Sequence, residues 1–185
     1  MDRGVTVLSS RVERWQLRRG DHIYAWRKGL AYTYSHHGIY ENDEKVIHFT
    51  SSLALSSIPP ETCSRCREAM RGGGVIICCL NCFLEGNSIC LFIYSVPWWF
   101  YNLSNIGVQD TCSMEDEDPP ETVLHRANNL RVHGFGSYNL ALRNCFDFAF
   151  YCKTGHPYFS LLEMVVEPSA VSESDLRRAI RRWLF

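Results

Sequence analysis

A cysteine one residue after Asn144 and two histidines at positions 36 and 48 are the side chains of this 185-residue chain best placed for bond-making chemistry. Asn144 can cap a helix that ends at Gly155, which puts Cys145 in the first helical turn. A thiol there meets unpaired backbone N–H groups and the positive end of the helix dipole, and both favour the thiolate. The same residue also fits a plain core position. Cys145, Phe148, Ala149 and Cys152 share one helical face, and free cysteines are often small buried residues.

The histidines belong to a predicted hairpin. Ala31 to Tyr40 and Lys45 to Thr50 are rich in β-forming residues, and Glu41-Asn42-Asp43-Glu44 between them has turn composition. If residues 41 to 43 close the hairpin, Tyr40 pairs with Glu44 and His36 falls directly opposite His48, with Cβ atoms about 4.5–5.5 Å apart. A two-residue turn at Asn42-Asp43 would instead send the two rings to opposite faces. In the first register one imidazole can take the thiol proton while the second orients the first, the arrangement of an activated nucleophile.

A second constellation is made of sulfur. Cys63-x-x-Cys66 and Cys79-x-x-Cys82 have the spacing of a four-cysteine structural zinc site, with Gly72-Gly73-Gly74 suited to a reversal between the pairs. Cys78, beside Cys79, competes as a ligand. The alternative is that Cys78, Cys79 and Cys82 are simply residues of a buried strand.

The elements that must position these residues are legible in part. His22 to Arg27 alternates as a strand, Ser51 to Pro60 reads as loop, and Leu91 to Val96 reads as a strand that Pro97 ends. Asp118-Pro119-Pro120-Glu121 starts a helix, with Asp118 as cap, that runs to Val132 and stops at Gly134. Val75 to Leu84 and Leu91 to Leu103 are apolar, but Glu85-Gly86-Asn87-Ser88 divides them. Neither reaches the roughly 18–20 residues of a membrane span, so buried strands are expected. Pro97-Trp98-Trp99-Phe100-Tyr101 suits an acyl-chain wall or interfacial anchor, with core the preferred reading. Residues 175 to 185 form a short amphipathic helix carrying four arginines, able to lie on an anionic membrane surface or to dock on the domain.

Three motifs together resemble a known family. Ser35-His36-His37-Gly38-Ile39-Tyr40, His48 twelve residues past His36, and Asn144-Cys145-Phe146-Asp147-Phe148 are similar to the motifs of the lecithin:retinol acyltransferase (LRAT) family. Those motifs are His-x-x-Ile-Tyr, a second His, then Asn-Cys-Glu followed by a polar residue and Phe. Gly20-Asp21-His22-Ile23-Tyr24 and Tyr151-Cys152-Lys153-Thr154-Gly155 look most like plant members. The resemblance covers residues 17 to 155. It implies an α+β, circularly permuted papain-like fold: an antiparallel sheet packed against helices, with the cysteine at a helix N-terminus. It also implies acyl transfer or hydrolysis on a lipid-like ester or amide through a Cys145 thioester, without a catalytic cofactor. By motif match Cys145 is nucleophile, His36 base and His48 the orienting group, while His37 points to the opposite face. Phe146 stands where the family has Glu, which changes the electrostatics beside the thiol. A non-catalytic cytosolic binding or regulatory module that keeps the fold is the rival class, and thiol peptidase or amidase chemistry is a third.

Composition bounds these readings. Apolar residues are 46% and charged residues 21%, which places the chain among globular domains. The net charge of −1 leaves no field to recruit nucleic acid. The expected organisation is a lead-in over 1–16, an LRAT-like domain over 17–155 with a Cys-rich insertion at about 61–90, and a tail over 156–185. Nine cysteines without a secretory start suggest a reducing compartment, so the expected setting is cytoplasmic, peripheral to membranes where the terminal helix makes contact. The expected partner is a lipid or acyl substrate.

Overall fold

The computed structural model describes residues 10–28, 33–53, 57–104, 111–140 and 143–158. Among them are the strands β1 (His22–Lys28), β2 (Thr33–Asn42), β3 (Lys45–Thr50), β4 (Gly74–Cys79) and the short β5 (Cys90–Leu91). They form one antiparallel sheet in the order β4-β3-β2-β1-β5. The helices are α1 (Ser64–Gly72), α2 (Leu80–Leu84), α3 (Trp98–Ser104), α4 (Pro120–His133) and α5 (Cys145–Thr154). The fold is α+β, as the sequence suggested. The terminal helix expected over 175–185 lies outside the described residues. No helix among the described residues is long and apolar enough to cross a membrane.

Both faces of the sheet are covered. Ile23, Ala25, Val46, Ile76 and Cys78 pack with Cys66 and Met70 of α1 and with Leu80 and Phe83 of α2. On the other face Ile39, Ile47, Phe49 and Val75 pack against Val123, Leu124 and Ala127 of α4 and Phe148, Ala149 and Cys152 of α5. A strand buried on both sides loses the apolar-polar alternation of a half-exposed one, and β3 is buried from Val46 to Thr50. Each fully enclosed Ile or Phe here contributes about 1.5–3 kcal/mol of burial free energy.

The β2–β3 hairpin is closed by Asp43 and Glu44, with φ of 42° and 59°, a pair of positive φ values that matches the twist of the strands. Residues 41–43 therefore do not form the turn. A register shift between Tyr40 and Asn42 leaves Glu41 as an extra residue, so Ile39 pairs with Ile47 and Tyr40 with Val46. The bulge restores the parity that a two-residue turn would have broken. His36 and His48 thus share a face, offset along the strands. His48 lies across from Gly38: a Cβ on Gly38 would come within 3.1 Å of the His48 Cβ.

Other expectations need correction. Asp118 does not cap α4; Pro119 occupies that position, and Asp118 instead pairs with Arg126 at 2.8 Å. The strand expected over Leu91 to Val96 is only Cys90–Leu91, followed by one bridge between Ile93 and Cys112. Val75 to Leu84 is a strand only to Cys79, then turns into α2. Pro97 precedes a helix, and Trp98 and Trp99 are 54% and 55% exposed rather than core. At the end of α1, Gly73 adopts φ 66° against the Ser51–Ser52 backbone, where a Cβ would lie 2.4 Å from the Ser52 nitrogen.

Candidate functional site

Helix α5 begins as its sequence dictates. The Asn144 side chain accepts a hydrogen bond from the Phe146 N–H at 2.8 Å, and Asp147 accepts one from the Asn144 N–H at 2.7 Å, the reciprocal arrangement of a capping box. Gly155 closes the helix at φ 77°. This start places Cys145 against β2. Its sulfur lies 3.9 Å from the Ser35 carbonyl oxygen, and the residue is 5% exposed. Burial pushes the thiol above its ordinary range, outweighing the His37 backbone N–H and the Arg27 charge that favour the thiolate. The low thiol pKa expected from the helix N-terminus is not realised, because dehydration of the anion dominates.

His36 and His48 sit on the far side of the sheet from α5. Their rings meet edge to face, with His36 Nε2 and His48 Nδ1 sharing a hydrogen bond of 2.9 Å. His48 Nε2 then lies 3.1 Å from Cys78 Sγ, and the Phe83 ring of α2 packs against both imidazoles. The structure brings the two motif histidines together but does not bring either to Cys145. The reason is strand alternation: His36 and Gly38 point toward α2, whereas Ser35, His37 and Ile39 point toward α5.

His37 does point opposite to His36, and that is the face on which α5 packs. Its Nδ1 shares a 2.8 Å hydrogen bond with His22 Nε2, and its Nε2 shares one of 2.7 Å with the Ser35 hydroxyl. His22 Nδ1 reaches the Tyr94 hydroxyl at 2.9 Å. Phe92 stacks on His22 at 4.6 Å, and Phe146 stands edge-on to His37 at 5.2 Å. The residue that replaces the family's Glu is therefore part of an aromatic wall over the histidine pair. Burial lowers all four imidazoles, His37 and His48 to about 3, so all are neutral near pH 7. His22 was not singled out from the sequence. The available signal was its place on the same strand face as Tyr24, the residue paired with His37.

The second predicted constellation does assemble. Cys63, immediately before α1, Cys66 in its first turn, Cys79 at the end of β4 and Cys82 in α2 bring their sulfurs within 4.8 Å of one another. Cys66 and Cys79 Sγ are 3.8 Å apart. Two backbone amides donate to sulfur, Cys63 N to Cys82 Sγ at 3.4 Å and Cys79 N to Cys66 Sγ at 3.3 Å. Beside Cys82 lies a cavity of about 380 Å³, lined in part by Arg14, Glu61, Thr62, Asn81 and Glu85.

Comparison with known proteins follows the motifs. Residues 15–158 match the lecithin retinol acyltransferase family. Protein LEAD-SENSITIVE 1 of Arabidopsis thaliana is 42% identical over 163 residues, which is 80% of this chain. The chain spans 61% of that relative's length. With the sheet, the capped α5 and the Cys and His motifs on one chain, this protein belongs to the lecithin retinol acyltransferase family, in its plant-type branch.

Proposed function

We propose that this LRAT domain works as a non-catalytic binding or regulatory module, with Cys145 as a core residue of α5. The observation that carries the reading is the sheet standing between Cys145 and the His36–His48 pair. A base must come within hydrogen-bond reach of the proton it takes, and no rotamer change moves a side chain through a strand. Phe146 packing over His37 and the dehydrated thiol support the same reading. The name of the Arabidopsis relative speaks of lead sensitivity and of no acyl donor or acceptor. A cytoplasmic, reducing setting suits the exposed Cys63 thiol.

Thiol-dependent acyl transfer or hydrolysis on a lipid-like ester or amide is the second reading. It is favoured by family membership and by a base–orienter pair already formed between His36 and His48. It requires Cys145 to reach the opposite face of β2 before a thioester can form.

Alkylation by iodoacetamide separates the two, with Cys145 followed by peptide mass mapping in wild type and His36→Ala. The module reading expects slow modification of native protein, a midpoint above the ordinary thiol value of about 8.5, and no effect of His36→Ala. Fast alkylation that depends on His36, with an acyl adduct on Cys145 after incubation with phospholipid vesicles, would establish the enzyme instead.

A further inference from the structure

We propose that Cys63, Cys66, Cys79 and Cys82 bind one divalent metal ion as four thiolates, with zinc the resident ion. The first argument is dimensional. Zinc–thiolate bonds of about 2.3 Å in tetrahedral geometry separate the sulfurs by about 3.8 Å. Cys66 and Cys79 already stand 3.8 Å apart, and all four sulfurs fall within 4.8 Å of one another. They come from the start of α1, the end of β4 and from α2, over a separation in sequence from 63 to 82. Nothing in backbone pairing alone requires their side chains to converge on one point.

The surroundings suit thiolates in particular. The amides of Cys63 and Cys79 are aimed at sulfur atoms, and such N–H donors stabilise charge on a coordinated thiolate. The candidate fifth thiol, Cys78, touches Cys66 but is shared with the histidine side of the sheet. Cys78 Sγ lies 3.1 Å from His48 Nε2 and is buried on the sheet side, outside the group of four. Four sulfurs close the coordination sphere, so the site has no open position for substrate and acts as a tie between α1, β4 and α2. As each sulfur–metal bond forms, its S–H proton leaves to solvent and no electrons change hands.

The site is also reachable. Cys63 is exposed, and Cys82 lines the 380 Å³ cavity together with the carboxylates of Glu61 and Glu85. The cluster is therefore open to solvent at Cys63, although Arg14 also lines the cavity and Glu85 is paired with Arg27, and the bound ion is exchangeable for another soft divalent ion. Exchange would be felt next door, because Cys79 adjoins Cys78 and Cys78 touches the His48–His36 pair.

The test uses the full chain, purified reduced. Elemental analysis should give about one zinc per chain, and Co²⁺ added after chelator removal should show thiolate-to-metal charge transfer with tetrahedral d–d bands. Cys63→Ser should weaken Co²⁺ binding roughly tenfold or more and reduce the charge-transfer intensity. Cys63→His should restore binding with the spectrum of three sulfurs and one nitrogen, and Cys78→Ser should leave the wild-type spectrum intact. Far-UV circular dichroism keeps misfolding apart from ligand loss. A wild-type chain that takes up Co²⁺ without thiolate bands, a Cys63→Ser spectrum equal to wild type, or a Cys78→Ser variant that loses the bands would overturn the assignment.

Discussion

Mild acid should destabilise this domain through its buried imidazoles. His22, His36, His37 and His48 are almost wholly enclosed, and burial holds each below the ordinary histidine range, His37 and His48 at about 3. In the unfolded chain the same rings titrate near 6.5. Between those limits the unfolded state binds protons that the native state refuses, so stability falls as pH falls. The loss begins near pH 6.5 and levels off only near pH 3. At about 1.4 kcal/mol per pH unit, going from pH 7 to pH 5 costs about 2 kcal/mol for each ring held at about 3. His37 and His48 together withdraw about 4 kcal/mol, and His22 and His36 act in the same direction. Against a total stability of about 5–15 kcal/mol for a domain, that is a large share. Urea unfolding at pH 7 and pH 5, at fixed ionic strength and followed by tryptophan fluorescence and circular dichroism, measures it. The four-cysteine cluster also responds to acid, so one ring remote from it serves as the internal check. His37→Gln should shrink the gap between the two pH values by about 2 kcal/mol. A wild-type loss under about 1 kcal/mol, or a His37→Gln protein with the full wild-type loss, would refute the reasoning.

Two further substitutions test the elements that hold the site. Asn144→Ala removes the acceptor of the Phe146 N–H and should cost about 1 kcal/mol, read as a lower urea midpoint at unchanged slope. Gly73→Ala puts a methyl 2.4 Å from the Ser52 nitrogen at φ 66° and should cost more than about 1 kcal/mol. Gly72→Ala, with no heavy atom near its Cβ position, should be neutral or slightly stabilising. Equal effects at the two glycines would show that the α1 terminus does not need its left-handed residue.

Local chemistry made several features legible in the sequence. Asn144 and Gly155 bracket α5 because a polar side chain can satisfy the first amides and only glycine enters the left-handed region without strain. The Cys-x-x-Cys pairs announced a sulfur cluster because that spacing lets two side chains from one segment converge on a point. His36 and His48 do share a face, but offset along the strands rather than directly opposite, through a turn at Asp43-Glu44 and a bulge at Glu41 instead of a closure at 41–43.

Which helix covers which face was decided only in three dimensions. Every strand that carries a candidate residue is buried on both sides, so its pattern does not say whether α5 or α2 lies above a given side chain. That choice put His37, not His36, on the side of Cys145, and paired it with His22 from a neighbouring strand. It also reversed the expected thiol chemistry. A helix N-terminus lowers a thiol's pKa locally, but the Cys145 sulfur is buried by the docking of α5 on β2, where it meets the Ser35 carbonyl and the Tyr138 side chain. Trp98 and Trp99 make the same point from outside: their composition suited a core, yet the core was already filled by chain distant in sequence. Capping, turn chemistry and ligand spacing are properties of neighbours along the chain, and sequence determines them. Burial, the side of a sheet and the company of a titrating group depend on residues far apart, and the packed structure alone decides those.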